Sequence, residues 1–345
     1  MAILVTGGAG FIGSALVRHL VQHTNHTVIN VDKLNYAGNR QALAAVYDHP
    51  QHVFYKANIC DTEALKQIFL RHKPSAVFHL AAESHVDRSI ASPENFIHSN
   101  IVGTFSLLEA VRAYWQELPV KEQVAFRLIH ISTDEVFGDL GLNEHPPLKE
   151  NSAYLPSSPY SASKASSDHL VQAWHRTYDI PFILTHCTNN YGPYQYPEKL
   201  IPFMVEQALR GRALTIYGQG HQVRDWIHVE DHVRALHLIY EQGRVGQSYN
   251  ICAHHELNNL QLVQQICAHL DEIFAQREWR PAVLQQISRF AELITHVTDR
   301  PGHDQRYALD AEKLRHELGW QPEIRFAEGL RATVQWYVDY FEAGH

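Results

Sequence analysis

The sequence predicts an α/β fold of the doubly wound kind, a parallel sheet with helices on both faces. Three observations carry that prediction. Short, mostly apolar runs occur at 3–6, 27–31, 52–55, 76–80 and 127–132. Amphipathic stretches of helical period lie between them at 14–22, 63–72 and 100–113. A glycine-rich turn joins the first apolar run to the first helical stretch. Strands that are apolar on both faces belong to a sheet covered on both sides. Strand–helix alternation is the pattern of parallel sheets.

Taken in order, the first strand ends at Thr6 and runs into Gly7-Gly8-Ala9-Gly10-Phe11-Ile12-Gly13. This fits G-x-G-x-x-G on Gly8, Gly10 and Gly13, and G-x-x-G-x-x-G on Gly7, Gly10 and Gly13. Glycine permits the tight turn and lets the backbone approach a pyrophosphate. The free N–H groups and dipole of the following helix favour the anion. Between a strand and a helix, the run predicts a Rossmann-type dinucleotide site. Asp32 ends the second strand, where a carboxylate accepts hydrogen bonds from a ribose and repels a 2′-phosphate. That predicts NAD rather than NADP, although Lys33 and Arg40 stand close by.

A further strand at 182–185 extends the pattern, and helix 161–175 precedes it. After Tyr191 the chain changes, with Pro and Gly dense in 191–202 and 217–220 and helical patterns at 229–240, 259–275 and 327–341. The predicted organisation is an NAD-binding domain over 1–190. A smaller C-terminal region, 191–345, binds substrate, and 249–251 is free to return to the main sheet.

Composition excludes several function classes. Formal net charge is -8 and no Lys or Arg run exceeds a pair, so a basic nucleic-acid-binding face is not expected. The 25 histidines make net charge fall steeply between about pH 5 and 7, which reads as a surface property. Cys60, Cys187, Cys252 and Cys267 form no C-x-x-C, so a reducing cytoplasm is expected. The strand pattern starts at Ala2 with no charged n-region, so no leader is expected, and no apolar run nears the ~18–20 residues that span a bilayer. His228 and His232 are four apart, but the order is not H-E-x-x-H and a third ligand is missing, so no metal is expected.

Tyr160 and Lys164 form Y-x-x-x-K behind Pro159, at the start of a helical stretch. Spacing i,i+4 puts both on one face. An ammonium beside a phenol favours the phenolate, which predicts Tyr160 as a base for a hydroxyl proton. With the glycine run, the pair resembles the extended short-chain dehydrogenase/reductases. That resemblance implies Thr133, at the end of the fifth strand, as the residue that positions the substrate hydroxyl. Asp134 and Glu135 follow directly. In a continuing strand they would point to opposite faces, so both serve one substrate only if the chain leaves the strand near Thr133. Two carboxyls in one closed site do not easily both ionise, which supplies an acid and a base together. An elimination of water needs that combination. A polar turn after a strand would carry the same two residues without chemistry.

Several longer segments resemble the dTDP-glucose 4,6-dehydratases: 32–39, 79–89, 132–140, 189–194, 197–202, 223–226 and 299–304. The resemblance implies that NAD is held by Gly7, Gly10, Phe11, Ile12, Gly13, Asp32, Lys33, Leu34, Asn35, Asn58, Ile59, Leu80, Ala81, Ala82, Ser84, Ser99, Tyr160, Lys164 and Asn190. It implies a nucleotide-sugar substrate against Ser84, Thr133, Asn189, Glu198, Lys199, Leu200, Tyr217, Arg224, Asn259, Arg300 and His303. Asn189, Lys199, Arg224, Asn259 and Arg300 would hold its diphosphate, and Tyr217 would lie near the base. Gathered cations suit an anionic substrate on an acidic protein. Thr133, Asp134, Glu135, Tyr160 and Lys164 would be catalytic, with Glu135 taking the C5 proton and Asp134 protonating the departing 6-hydroxyl. A homodimer built from helices near 100–113 and 161–175 is also implied. The chain departs from the family at Phe137, usually Tyr, at Asn58, usually Asp, and over 271–293, which is longer. A UDP-glucose 4,6-dehydratase, a 4-epimerase, a decarboxylase and a non-catalytic NAD-binding regulator are the rival readings. The adjacent acids argue against the epimerase and the decarboxylase.

Overall fold

The computed structural model describes residues 1–142, 145–277, 281–300 and 302–344. Among the described residues twelve strands occur in chain order: β1 (Ala2–Thr6), β2 (Thr27–Asp32), β3 (His52–Lys56), β4 (Ala76–His79), β5 (Arg127–Thr133), β6 (Phe182–Cys187), β7 (Asn189–Tyr191), β8 (Leu214–Tyr217), β9 (Val223–His228), β10 (Ser248–Ile251), β11 (Glu256–Asn258) and β12 (Ile294–Val297). Seven form one sheet in the order β10-β6-β5-β4-β1-β2-β3, every neighbouring pair parallel. Winding runs one way from β1 to β3 and the other way from β4, so the direction reverses between β1 and β4. A cleft beyond the carboxyl ends of the strands is the expected ligand site of such a sheet.

The alternation of β1 shows why the strands read as largely apolar. Ile3 and Val5 pack under helices Phe11–His23 and Val229–Gln242 with Leu16, Leu20, Val233 and Leu236. Leu4, between them, packs on the other face against Leu65 and Phe69 of helix Thr62–His72, with Leu107 and Val111 of helix Gly103–Gln116. Both faces are therefore covered. Helix Pro159–Tyr178 begins with a capping box, in which the Ser158 and Ser161 side chains each bond the other's backbone N–H, and Pro159 occupies the first turn.

The second lobe has its own core. Helices Leu200–Leu209, Asn259–Ala275 and Phe326–Glu342 enclose Met204, Leu262, Ile266, Leu330 and Val334. Two small sheets, β11-β9-β7 and β12-β8, lie beside them. Strand β10 crosses back and pairs with β6. Helix Gly103–Gln116 does not begin at 100: a π-helical stretch, Ile97–Val102, precedes it and turns Asn100 inward. Among the described residues no helix is long and apolar enough to cross a membrane.

Candidate active site

One cleft runs along the carboxyl ends of β1, β2, β4, β5 and β6. At one end it is floored by the glycine turn. A Cβ on Gly13 would lie 2.1 Å from the Gly7 carbonyl oxygen, and one on Gly7 would lie 2.7 Å from the Ala81 backbone. Gly7 also holds φ +72, a left-handed value that suits glycine. These contacts leave a cradle at the cleft wall where helix Phe11–His23 begins, and the free N–H groups of a helix start suit the anion of a dinucleotide. Asp32 closes the cradle, accepting from Ala9 N at 2.9 Å and Leu34 N at 2.7 Å. Burial holds its carboxyl above the usual range.

Most residues expected at the cofactor line this cleft: Gly7, Gly10, Phe11, Ile12, Gly13, Asp32, Lys33, Asn35, Asn58, Ile59, Leu80, Ala81, Ala82, Ser84, Ser99, Tyr160, Lys164 and Asn190. Leu34 is not on the lining; it holds φ +54 directly after Asp32. Lys33 and Asn35 converge on Glu83, at 2.7 and 3.0 Å, and Lys33 also reaches Ser99 at 3.0 Å. The Asn58 amide oxygen accepts from Cys60 N at 3.1 Å.

The reacting groups gather at the middle of the cleft. β5 ends at Thr133, whose hydroxyl accepts from Glu135 N at 3.3 Å and starts the 3-10 turn Asp134–Phe137. That turn brings both acids to the same cleft. Thr133 Oγ1 donates to Asp134 Oδ1 at 3.0 Å, while Asp134 Oδ2 is buried and has no hydrogen-bond partner among the described residues. Burial, with Glu135 beside it, pushes the Asp134 carboxyl up to about 8. Burial also raises Glu135, but Arg224, Lys199 and Arg300 pull it back toward the charged form. The pair is thus unequal, one acid neutral near pH 7 and its neighbour facing three cations.

Tyr160 and Lys164 stand on one face of helix Pro159–Tyr178, as expected, and Tyr160 bonds Thr133. The lowered phenol expected from this pair is not what the fold produces. Burial drives Tyr160 well above its ordinary range and Glu135 adds to the rise. The Lys164 ammonium instead donates to the Ile131 carbonyl at 2.8 Å, and burial lowers it.

At the far end, Asn189, Glu198 and Lys199 line the cleft with Ser84. Lys199 donates to the Ser84 carbonyl at 2.9 Å, and Glu198 pairs with Arg88 at 2.8 Å. Leu200, Tyr217, Arg224, Asn259, Arg300 and His303 lie outside the lining. Arg224 is buried against the Val223 and Asp304 carbonyls, 4.3 Å from the centre of the Tyr307 ring. Arg300 is paired with Asp87, and His303 with Asp299 at 2.6 Å, with the Tyr217 ring 6.0 Å away. Leu200 and Asn259 each open a helix. Pro301, in the 299–304 segment, lies outside the described residues. His228 caps helix Val229–Gln242 and His232 bonds Asn190 at 2.9 Å.

The match to known proteins is extensive. Residues 4–333 fit the family model described as GDP-mannose 4,6 dehydratase. The chain is 57% identical over 337 residues to the dTDP-glucose 4,6-dehydratase of Neisseria meningitidis serogroup B, covering 98% of this chain and 93% of that protein. The chain belongs to the dTDP-glucose 4,6-dehydratase family. A second dTDP-glucose 4,6-dehydratase, from Escherichia coli K12, is 55% identical over 345 residues, with 98% and 93% covered. A solved dTDP-glucose 4,6-dehydratase from Streptomyces venezuelae, with NAD bound, superposes with a TM-score of 0.86 at 40% identity, covering 99% of this chain and 98% of that one.

In this member of the dTDP-glucose 4,6-dehydratase family, sequence reasoning missed a polar layer beneath the cleft. Asn100 holds the loop after β4, bonding Glu83 N at 2.8 Å and Glu83 O at 3.0 Å, and donates to Ser163 at 2.8 Å. Asp168 is buried among His130, Ser132 and Tyr154. The signal for Asp168 was present, since Tyr160, Lys164 and Asp168 repeat every fourth residue on one helix face.

Proposed function

We propose that this chain removes water from dTDP-glucose to give the 4-keto-6-deoxy sugar nucleotide, using NAD, and that it works in the cytoplasm as a homodimer. The observation that carries the reading is the turn at Thr133, which brings a neutral Asp134 and a cation-facing Glu135 to one cleft with Tyr160. Relatives named dTDP-glucose 4,6-dehydratase at more than half identity support the substrate, and an NAD-bound relative supports the cofactor.

NAD would lie along the cradle of Gly7, Gly10, Gly13 and Asp32, supplying an acceptor and later a donor of one hydride, and a cationic ring. The chain's own residues then have these roles. Thr133 holds the sugar 4-hydroxyl and Tyr160 takes its proton. Burial holds the phenol high, and the Lys164 ammonium on the same helix face, anchored by its bond to the Ile131 carbonyl, is the fixed positive charge that favours release of its proton. A 4-ketone acidifies C5–H, and Glu135 removes that proton. Asp134, held protonated, gives its proton to the departing 6-hydroxyl, which leaves as water. Lys199, Arg224 and Arg300 hold the diphosphate. For Arg300 this means leaving Asp87.

The homodimer reading rests on Ile97, Val102 and Phe105, which are 52%, 40% and 45% exposed, with Phe105 edge-on to Trp174 of the catalytic helix. Apolar side chains clustered at that density suit a helix–helix interface. The deciding experiment is turnover with dTDP-glucose and UDP-glucose side by side, read by mass. Loss of one water from dTDP-glucose is expected, at the higher kcat/KM. Epimerised hexose without water loss would overturn the reading.

A further inference from the structure

Directly under β5 lies a buried anion that the steps above do not use. Asp168 is wholly buried, two helical turns beyond Tyr160 and one beyond Lys164. Its carboxylate accepts from Ser132 Oγ at 2.7 Å, His130 Nε2 at 3.0 Å and the Tyr154 hydroxyl at 3.1 Å. Behind Tyr154, His186 Nε2 completes the layer at 2.7 Å. The donors come from β5, from β6 and from the segment before the catalytic helix.

The network fixes the protonation states. With Tyr154 donating to Asp168, His186 donates its Nε2–H to the Tyr154 oxygen. His130 likewise donates its Nε2–H to Asp168. The Nδ1 atoms of His130 and His186 are buried and have no hydrogen-bond partner among the described residues. A second N–H on either ring would therefore be buried unsatisfied. Both imidazoles are read as neutral, so neither balances the carboxylate. Burial holds His130 down to about 4, in line with that reading.

The groups that face Lys164 are few. On its own helix they are Tyr160 and Asp168, on β4 His79, on β5 His130 and on β6 Cys187. The Tyr160 phenol and Cys187 thiol are pushed up and the two imidazoles down, so all four are uncharged near pH 7. Asp168 is the charged member of this set, and i,i+4 spacing brings it within about 5–6 Å of Lys164 at Cβ. An unpaired buried carboxylate costs several kcal/mol in the general case, which makes an idle one a poor fit to a well-packed sheet.

We propose that Asp168 is a positioning residue of the dehydration. It acts through Ser132 to fix the point where the chain leaves β5 toward Asp134 and Glu135, and through Lys164 to keep that side chain charged. The inference rests on the function proposed above and adds a residue to it. Ser132 precedes Thr133 directly, so a shift of its hydroxyl displaces the turn that presents both acids.

The test uses Asp168→Asn, which keeps the shape and one acceptor oxygen but removes the charge, and Ser132→Ala, which keeps the charge but removes the tether. With lysine labelled at 13Cε, the Lys164 signal is identified by its loss in Lys164→Met and titrated. In Asp168→Asn the Lys164 midpoint is expected to fall by about one unit or more. The alkaline limb of kcat against pH should move down with it, at unchanged KM. In Ser132→Ala kcat should fall by roughly tenfold with the Lys164 midpoint and KM unmoved. A folded Asp168→Asn protein whose Lys164 midpoint stays within ~0.3 unit of wild type overturns the proposal. If that variant does not fold, Ser132→Ala decides: unchanged kcat overturns it, and the tenfold loss supports it. The titration needs no turnover, so a wild-type protein that releases no water from dTDP-glucose would count against the function and leave the Asp168 result readable.

Discussion

Replacing Asp134 by Asn should make the protein more stable and inactive at once, and the stability gain should depend on pH in a defined way. Asp134 is 4% exposed, its outer oxygen lacks a partner among the described residues, and its carboxyl is raised from 3.8 to about 8. A carboxyl whose folded pKa lies above its unfolded value costs nothing below the unfolded value. Above it the cost grows with pH until the folded pKa is reached, because the unfolded chain gives up the proton and the folded one must keep it. Each unit is worth about 1.4 kcal/mol, so at pH 7 the native acid costs on the order of 4 kcal/mol. Asparagine has the shape of the protonated acid and pays none of this. The assay is thermal melting of wild type and Asp134→Asn from pH 4.5 to 9, without added nucleotide. The variant's advantage should be small at pH 4.5, widen steadily to about pH 8 and then level off. An advantage that is flat across this range, or that narrows as pH rises, would refute the claim that Asp134 is held protonated in the fold.

Three further outcomes are expected. Glu135→Gln should bind dTDP-glucose yet form no product, and in D2O it should place no deuterium at C5; normal keto product at a normal rate would remove Glu135 from its role. Tyr160→Phe should lower kcat by roughly 10² to 10⁴ while leaving substrate affinity within about threefold, measured by turnover and calorimetry. Gly13→Ala sets a methyl 2.1 Å from the Gly7 carbonyl oxygen. It should cost about 1–3 kcal/mol of stability and reduce NAD affinity by well over tenfold in a calorimetric titration, whereas unchanged affinity would show that this turn does not carry the cofactor.

The main sheet was legible in the sequence because most of its strands are buried on both faces, which writes them as largely apolar runs such as that of β1. The turn after β5 was legible only as a condition: Asp134 and Glu135 can share a substrate if the chain bends at Thr133, and the 3-10 turn meets it. The small strands β7, β8, β9, β11 and β12 left no such trace. They are three to six residues long and belong to two- and three-stranded sheets, so tertiary packing rather than pattern fixes them. The Tyr160 phenol went the other way from its spacing. Pairing rules see the lysine four residues on, but not the Ile131 carbonyl that engages it or the burial that outweighs it. Arg224 and Arg300 were read as ligands of a diphosphate. Besides the adjacent Val223 carbonyl, their partners, the Asp304 carbonyl and Asp87, come from segments distant in sequence.

The return of β10 to the edge of the main sheet has a practical consequence for dissecting the molecule. The chain leaves the dinucleotide half after β6, builds much of the other lobe, and comes back to lay Ser248–Ile251 along Leu184–Cys187. Expressing residues 1–190 alone would strip that covering and leave Phe182–Cys187 with a bare row of amide and carbonyl groups beside Ile183, the kind of rim that recruits other chains. Excision at the apparent boundary is therefore expected to yield insoluble material. A circular permutant that keeps residues 248–251 next to the first half is the better route to an isolated NAD-binding fragment.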